Sequence, residues 1–119
     1  YSGGQWCKGK SFDTFCPIGP CLVTKDEISD PNSLKIQTKL NDKLVQNSNT
    51  ADMIFSVSNL IEFLSGSTTL EAGTLILTGT PPGVGIAQKP PYYLKAGDEV
   101  VIEVEQIGRL KNNIIEERI

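Results

Sequence analysis

The sequence predicts an α+β fold that is mostly β, an antiparallel sandwich or roll with one short helix. Three observations predict it: a hairpin pattern in residues 35–46, an alternating pattern in residues 99–106 and a helical pattern in residues 58–65. Hydrophobic residues make up 39% of the 119 residues and charged residues 21%. These values are ordinary for a globular protein and allow a modest core.

The strand predictions follow from alternation and from turn residues. Residues 35–40 alternate polar and apolar side chains, Asn41 and Asp42 stand where a tight turn belongs, and residues 43–46 start a return strand. Further short strands are predicted at residues 21–24, 74–78, 99–106 and 114–117, with an extended piece near residues 11–15 and a turn at Asn112 and Asn113.

The helix prediction rests on an apolar face that repeats every 3.6 residues. That face comprises Val57, Leu60, Ile61 and Leu64. Ser56 or Ser58 can cap the start of the helix, and Gly66 suits its C-terminal end. We expect the apolar face to pack against the sheet.

The composition argues against several classes of protein. The net charge is −3 and the basic residues form no stripe, so nucleic-acid binding is not expected. No apolar run approaches the ~18 residues that cross a bilayer, and no charged-then-apolar leader begins the chain. The three cysteines form no Cys-x-x-Cys pair, which favours reduced thiols in an intracellular protein.

The chain contains no histidine, and this limits its chemistry. A Cys/His zinc site cannot be built from it, and neither can a Ser-His-Asp or Cys-His nucleophile. Any general acid or base within the chain must therefore be Asp, Glu, Lys, Tyr or Cys.

Two segments could hold an anion. Lys10 lies between a glycine and an aromatic-rich stretch, so its stem could pack on apolar surface and present the ammonium in a pocket. In residues 78–85, glycines let backbone N–H groups approach a ligand, and Thr80 adds a hydroxyl. The alternatives are an exposed loop lysine and a rigid connecting turn.

Two carboxylates, Glu103 and Glu105, stand two residues apart on a predicted strand and therefore share one face. Such a pair could bind a hard cation. The other interpretation is that the pair is the solvated face of an amphipathic strand.

Three separated stretches, residues 9–20, 49–55 and 76–85, resemble the fumarylacetoacetate hydrolase family in order and spacing. Residues 97–100 and 107–112 are also similar to the close of that family's sequences. The match looks closest to the subgroup of fumarylacetoacetate hydrolase domain-containing proteins, which act on small 2-oxo and β-diketo acids. It implies that residues 1–119 are the C-terminal portion of one catalytic domain, a mixed β-sandwich roll incomplete at its N-terminus.

The resemblance also implies an activity. Members are usually dimeric, metal-dependent enzymes that hydrolyse, decarboxylate or tautomerise oxo acids through an enolate, here in mitochondria or the cytoplasm. The alternative is a truncated, non-catalytic or pseudoenzyme module that serves dimerisation. We expect the isolated chain to be inactive or very weak, since the family's metal ligands lie upstream of the segment that matches this chain.

The site residues carried over from the family are few. The resemblance places Lys10 as the catalytic residue, beside a bound Mg²⁺ (or Mn²⁺/Ca²⁺) and its oxo-acid anion. It places Thr14 at the periphery of the cation site, and it gives Gly79 and Thr80 the binding of a substrate oxygen or carboxylate. The family's acidic ligands, a Glu-x-Glu pair and an Asp, precede the lysine motif, so Glu103 and Glu105 do not replace them.

Overall fold

The computed structural model describes residues 6–117, and these form one four-stranded antiparallel sheet with a single helix longer than one turn. In chain order the elements are α1 (Trp6–Gly9), β1 (Lys35–Leu40), β2 (Lys43–Asn49), a 3₁₀ turn (Thr50–Asp52), α2 (Val57–Ser65), a second 3₁₀ turn (Gly85–Ala87), β3 (Glu99–Val104) and β4 (Gly108–Asn113). The strand order across the sheet is β2-β1-β3-β4. This mostly β arrangement confirms the predicted fold class.

The β1–β2 hairpin forms where the sequence predicts it. Leu40 pairs with Lys43, so Asn41 and Asp42 are the two turn residues. Both have left-handed backbones, with φ of 49° and 64°, and Asn and Asp tolerate this conformation better than most residues. β2 continues to Asn49, which is three residues beyond the predicted return strand.

The remaining ladders place β3 at the centre of the sheet. Ile36 lies opposite Val104 across β1 and β3, and Val104 lies opposite Gly108 across β3 and β4. The predicted strand at residues 99–106 is thus confirmed as far as Val104, and the chain then turns through Gln106, whose φ is 63°. An exposed ion pair joins Lys111 to Glu99 at 2.7 Å, and exposed pairs add little stability.

Several predicted strands are wrong. Residues 11–15, 21–24, 74–78 and 114–117 are turns or irregular chain, and Asn112 and Asn113 end β4 instead of forming a turn. An apolar or β-branched run becomes a strand only when another strand pairs with it, and these four segments pair with nothing in the described sheet. Conversely, register against β3 places the two asparagines in a strand despite their low β propensity.

Helix α2 matches its prediction closely. Ser56 is the N-cap residue, and its hydroxyl accepts a hydrogen bond from the Asn59 N–H at 3.2 Å. Gly66 is the C-cap, and its N–H donates to the Glu62 carbonyl oxygen at 3.1 Å. The helix ends are therefore satisfied by the residues that the sequence offers for this purpose.

Few side chains are buried among residues 6–117. The only buried apolar residues there are Ile28 and Leu34, which are 8% and 4% exposed. Large apolar side chains such as Leu22 and Ile54 are more than nine-tenths exposed, at 94% and 91%. Because apolar burial supplies most of the favourable free energy of folding, this chain taken alone has a weak driving force to fold.

Asp98 is the one buried charged side chain in the described part of the chain, at 3% exposure. Its carboxylate accepts hydrogen bonds from Asn41 Nδ2 at 2.8 Å, the Tyr92 hydroxyl at 2.8 Å and the Lys95 N–H at 3.0 Å. The Asn41 amide oxygen in turn accepts from the Glu99 N–H at 2.9 Å. Asp98 therefore ties the β1–β2 turn to the start of β3, and its donors compensate for its removal from water.

These contacts lower the pKa of Asp98, mainly through the hydrogen bond from Asn41 and then that from the Lys95 backbone. The hydrogen bond to Asp98 also raises the pKa of Tyr92. A carboxyl whose pKa is lower in the folded protein stabilises the fold above its ordinary pKa of 3.8. That stability is lost as the pH falls through the lower, folded-state value.

Asp98→Asn should lower the unfolding temperature at pH 7, because one amide end would present N–H groups to a site that already holds three donors. Asp42→Asn is the matched control, since Asp42 is an exposed residue of the same region and asparagine tolerates its left-handed backbone. Thermal unfolding of the two variants, followed by circular dichroism between pH 3 and pH 7, gives their unfolding temperatures. Equal unfolding temperatures for the two variants would show that the Asp98 contacts do not stabilise the fold.

Candidate functional site

One candidate site is an open cavity of about 740 Å³, a size that small-ligand sites commonly have. One wall is formed by residues 49–55, which begin at the last residue of β2. The other wall is the loop of residues 78–84. Its lining includes the polar residues Ser48, Asn49, Thr50, Asp52, Thr78 and Thr80, together with Gly79. Most of the other lining residues are apolar, including Ile36, Phe55 and Leu60.

A chain of hydrogen bonds holds the first wall. Asn49 caps the 3₁₀ turn by accepting from the Ala51 N–H at 2.8 Å, and the Asp52 carboxylate accepts from the Asn49 N–H at 3.1 Å. The Ser48 hydroxyl donates to the same carboxylate at 2.6 Å. The Ser48 hydrogen bond, followed by that of the Asn49 backbone, lowers the pKa of Asp52. Asp52 is therefore a charged, fixed part of the wall near neutral pH.

Thr50 fastens this wall to the beginning of β1. Its hydroxyl donates to the Pro31 carbonyl oxygen at 2.7 Å and accepts from the Leu34 N–H at 2.8 Å. Its own N–H donates to the Leu34 carbonyl oxygen at 2.8 Å. Because Leu34 is the most buried apolar residue described, the turn is anchored where the chain is best packed.

The second wall is held against β2 by one side chain. Gln46 Nε2 donates to the Thr80 hydroxyl oxygen at 2.9 Å and to the Pro81 carbonyl oxygen at 2.8 Å. Gly79 and Gly83 have φ of 106° and 113°, which side chains rarely adopt. At Gly83 a methyl group would also collide with the Val45 carbonyl oxygen, so glycine lets this loop lie directly on β2.

Comparison with known proteins identifies the family. A family model described as fumarylacetoacetate (FAA) hydrolase C-terminal matches residues 1–115. The chain belongs to this family. It is 53% identical over 114 residues to the mitochondrial oxaloacetate tautomerase Fahd2a of Rattus norvegicus, and 54% identical over 114 residues to the mitochondrial oxaloacetate tautomerase fahd2 of Xenopus laevis. These matches cover 96% of the chain and 36% of each relative.

Solved structures of the fumarylacetoacetate hydrolase family show the same fold. The fumarylacetoacetate hydrolase of Exiguobacterium antarcticum superimposes with a TM-score of 0.89 at 43% identity, covering 92% of this chain and 39% of that one. The maleylpyruvate hydrolase of Sphingobium sp. SYK-6, solved with manganese(II) and pyruvate, gives a TM-score of 0.81 at 36% identity, covering 90% and 38%. The predicted family and its fold are confirmed.

The structure brings together only part of the site predicted from the family resemblance. Gly79 and Thr80 line the cavity, whereas Lys10 and Thr14 do not. Lys10 is exposed, and its Nζ lies 6.0 Å from the centroid of the Trp6 ring, the outer limit of a cation–π contact. Thr14 is an exposed residue with φ of 66°. The roles given to these four residues remain predictions.

The carboxylate pair at the end of β3 is already engaged elsewhere. Glu103 accepts a hydrogen bond from Arg109 Nε at 2.9 Å, and Glu105 accepts from the Lys35 N–H at 2.9 Å. Among residues 6–117, no three His, Cys, Asp or Glu side chains are grouped so that they could hold a metal ion. The described residues therefore do not fit a divalent cation by themselves, as the resemblance implied for Glu103 and Glu105.

The sequence pattern identified residues 49–55 but gave no role to their polar side chains. It included Gln46 only as the last residue of a predicted strand. One clue was present, because alternate residues of a strand share a face and Gln46 stands two residues before Ser48. That periodicity places both side chains on one face of β2. It does not show that the loop of residues 78–84 lies across the same face.

No helix within the described range, residues 6–117, is long and apolar enough to cross a membrane. The longest, α2, has nine residues.

Gly83→Ala should lower the free energy of unfolding by about 1–3 kcal/mol more than Gly73→Ala, the usual cost of forcing extra atoms into a packed site. Gly73 is the matched control because its φ is also positive, at 89°, but a methyl group there would meet nothing within 4 Å. Urea unfolding of the two variants provides the measurement. Equal losses would mean that the loop does not lie on β2.

Proposed function

We propose that the chain is the substrate-binding portion of an enzyme that acts on small 2-oxo acids through an enolate, with oxaloacetate tautomerisation as its reaction. The observation that carries this proposal is the cavity in which Gly79 and Thr80 face the wall of residues 49–55. Supporting it are the oxaloacetate tautomerases that match 96% of the chain at 53–54% identity. Hydrolysis of a C–C bond is the second candidate, favoured by the match to maleylpyruvate hydrolase.

The chain's own groups have separate tasks in this proposal. The Thr80 hydroxyl and the Gly79 N–H bind an oxygen of the substrate carboxylate, while the apolar walls limit the access of water. In tautomerisation a proton leaves the carbon beside the carbonyl group, and a proton is added to the carbonyl oxygen. Lys10, which lies outside this cavity in the described structure, takes from the family resemblance the role of stabilising the negative charge that develops on that oxygen.

We further propose that the complete protein depends on Mg²⁺, or on Mn²⁺ or Ca²⁺, with acidic ligands from outside residues 6–117. The relative solved with manganese(II) and pyruvate supports this. Thr14 would lie at the edge of that cation site. Residues 6–117 contain no group of three His, Cys, Asp or Glu side chains that could coordinate the ion. The roles proposed for these residues therefore do not require a bond to the ion.

Two other features of the complete protein are also proposals. Mitochondrial location is supported by the names of the relatives, and a homodimer is supported by the exposed apolar side chains, among them Phe63 and Ile115 at 78% and 82%. The alternative function is a non-catalytic module that serves dimerisation.

The proposed activity can be measured on the complete natural polypeptide as the loss of enol oxaloacetate absorbance. We expect turnover that EDTA abolishes and that added Mg²⁺ or Mn²⁺ restores. Folded protein that catalyses no reaction of oxaloacetate or of maleylpyruvate with any of the three cations would contradict the proposal. If such a protein is a dimer by light scattering, the non-catalytic alternative is supported instead.

Lys10→Ala in the complete enzyme should remove ~2–4 kcal/mol of transition-state stabilisation, the usual loss for one electrostatic stabiliser. Lys8→Ala is the matched control, because Lys8 is an exposed lysine two residues earlier, in α1. The ratio of kcat/KM values for oxaloacetate reports both effects. An unchanged kcat/KM for Lys10→Ala would remove this lysine from the reaction.

A further inference from the structure

Gln46 determines which way the Thr80 hydroxyl can point. Its Nε2 lies 2.9 Å from the Thr80 hydroxyl oxygen and 2.8 Å from the Pro81 carbonyl oxygen. An amide NH₂ group has two protons, and these two contacts use both of them. Gln46 is half-buried, whereas Thr80 lies at the exposed edge of the cavity.

The orientation of the Gln46 amide is fixed by chemistry. The Pro81 carbonyl oxygen can only accept a hydrogen bond, so the end of the Gln46 amide that faces it must be the NH₂ group. A flipped amide would set two acceptor oxygens against each other. The same NH₂ group then donates to Thr80, whose hydroxyl oxygen must therefore accept.

The Thr80 hydroxyl proton is consequently free for another partner. A hydroxyl has one proton and two lone pairs, and Gln46 occupies one of the lone pairs. Gln46 is the one partner that the structure gives this hydroxyl within residues 6–117. Because Thr80 lines the cavity, a bound acid is the acceptor within reach of the proton.

We propose that Gln46 is a positioning residue that occupies one lone pair of the Thr80 hydroxyl and turns its proton toward the cavity, so that the cavity prefers a carboxylate to a carboxamide at the ligand end bound by Thr80. This inference rests on the proposed function, since it specifies the ligand class of the same site. Either oxygen of a carboxylate can accept the Thr80 proton, and the bond is charge-assisted, whereas a carboxamide can accept it only through its single, neutral oxygen.

The test compares succinate with succinamate, which differ only in having a carboxylate or a carboxamide at one end. Their dissociation constants are measured by calorimetry on the complete protein, together with kcat/KM for oxaloacetate and for its 4-amide. We expect the wild type to prefer the carboxylate. In Gln46→Glu the new carboxylate accepts the Thr80 proton and also opposes the Pro81 carbonyl oxygen. The preference for succinate over succinamate should therefore fall by roughly tenfold or more.

Two controls separate this effect from simple charge repulsion. Gln37→Glu adds the same charge on neighbouring strand β1, where Gln37 Nε2 donates to Asn47 Oδ1 at 2.8 Å, and it should leave the preference unchanged. In a Thr80→Val background, Gln46→Glu should alter the preference little, because the hydroxyl that transmits the effect is gone. A Gln46→Glu effect of the same size without the Thr80 hydroxyl would be direct repulsion and would overturn the inference.

The other outcomes are also decisive. A Gln46→Glu variant that keeps the wild-type preference overturns the inference, whatever the turnover. Wild-type protein that binds succinate but does not tautomerise oxaloacetate removes the proposed reaction only, and the binding preference still decides the role of Gln46. Protein that binds neither succinate nor succinamate overturns the inference, because the cavity is then not an acid site.

Discussion

Strand β2 is the constraint on which the candidate site depends, because both walls of the cavity are attached to it. Its last residue, Asn49, caps the turn that forms one wall. Its Gln46 holds the other wall through two hydrogen bonds from a single NH₂ group. A displacement of β2 would therefore move both walls, and the distance between Thr80 and Asp52 is set by this one strand.

The position of β2 depends in turn on the turn that precedes it. Asn41 donates to the buried Asp98 carboxylate and accepts from the Glu99 N–H, so the hairpin cannot rotate away from β3 without breaking both contacts. Few apolar side chains are buried among the described residues, and this polar junction is accordingly important for the register of the sheet. Among residues 6–117, the two walls of the site are held by local hydrogen bonds.

The sequence predicted those parts of the fold that local chemistry decides. The hairpin at Asn41 and Asp42 and the Ser56 cap of α2 depend on residues adjacent in the chain, so turn and capping preferences were sufficient. The strand predicted at residues 74–78 failed because strand formation depends on a distant partner. In the candidate site, the family resemblance named Thr80, but the contact from Gln46, 34 residues earlier, is visible only after folding.

We propose that the cavity beside Thr80 binds a small oxo acid. A crystal structure of the complete natural polypeptide with Mn²⁺ and oxalate, an enolate mimic, tests it most directly. We expect an oxalate oxygen about 3 Å from the Thr80 hydroxyl, with Gln46 still donating to Thr80 and Pro81. Oxalate bound away from this cavity, or a cavity filled by another part of the polypeptide, would contradict the claim.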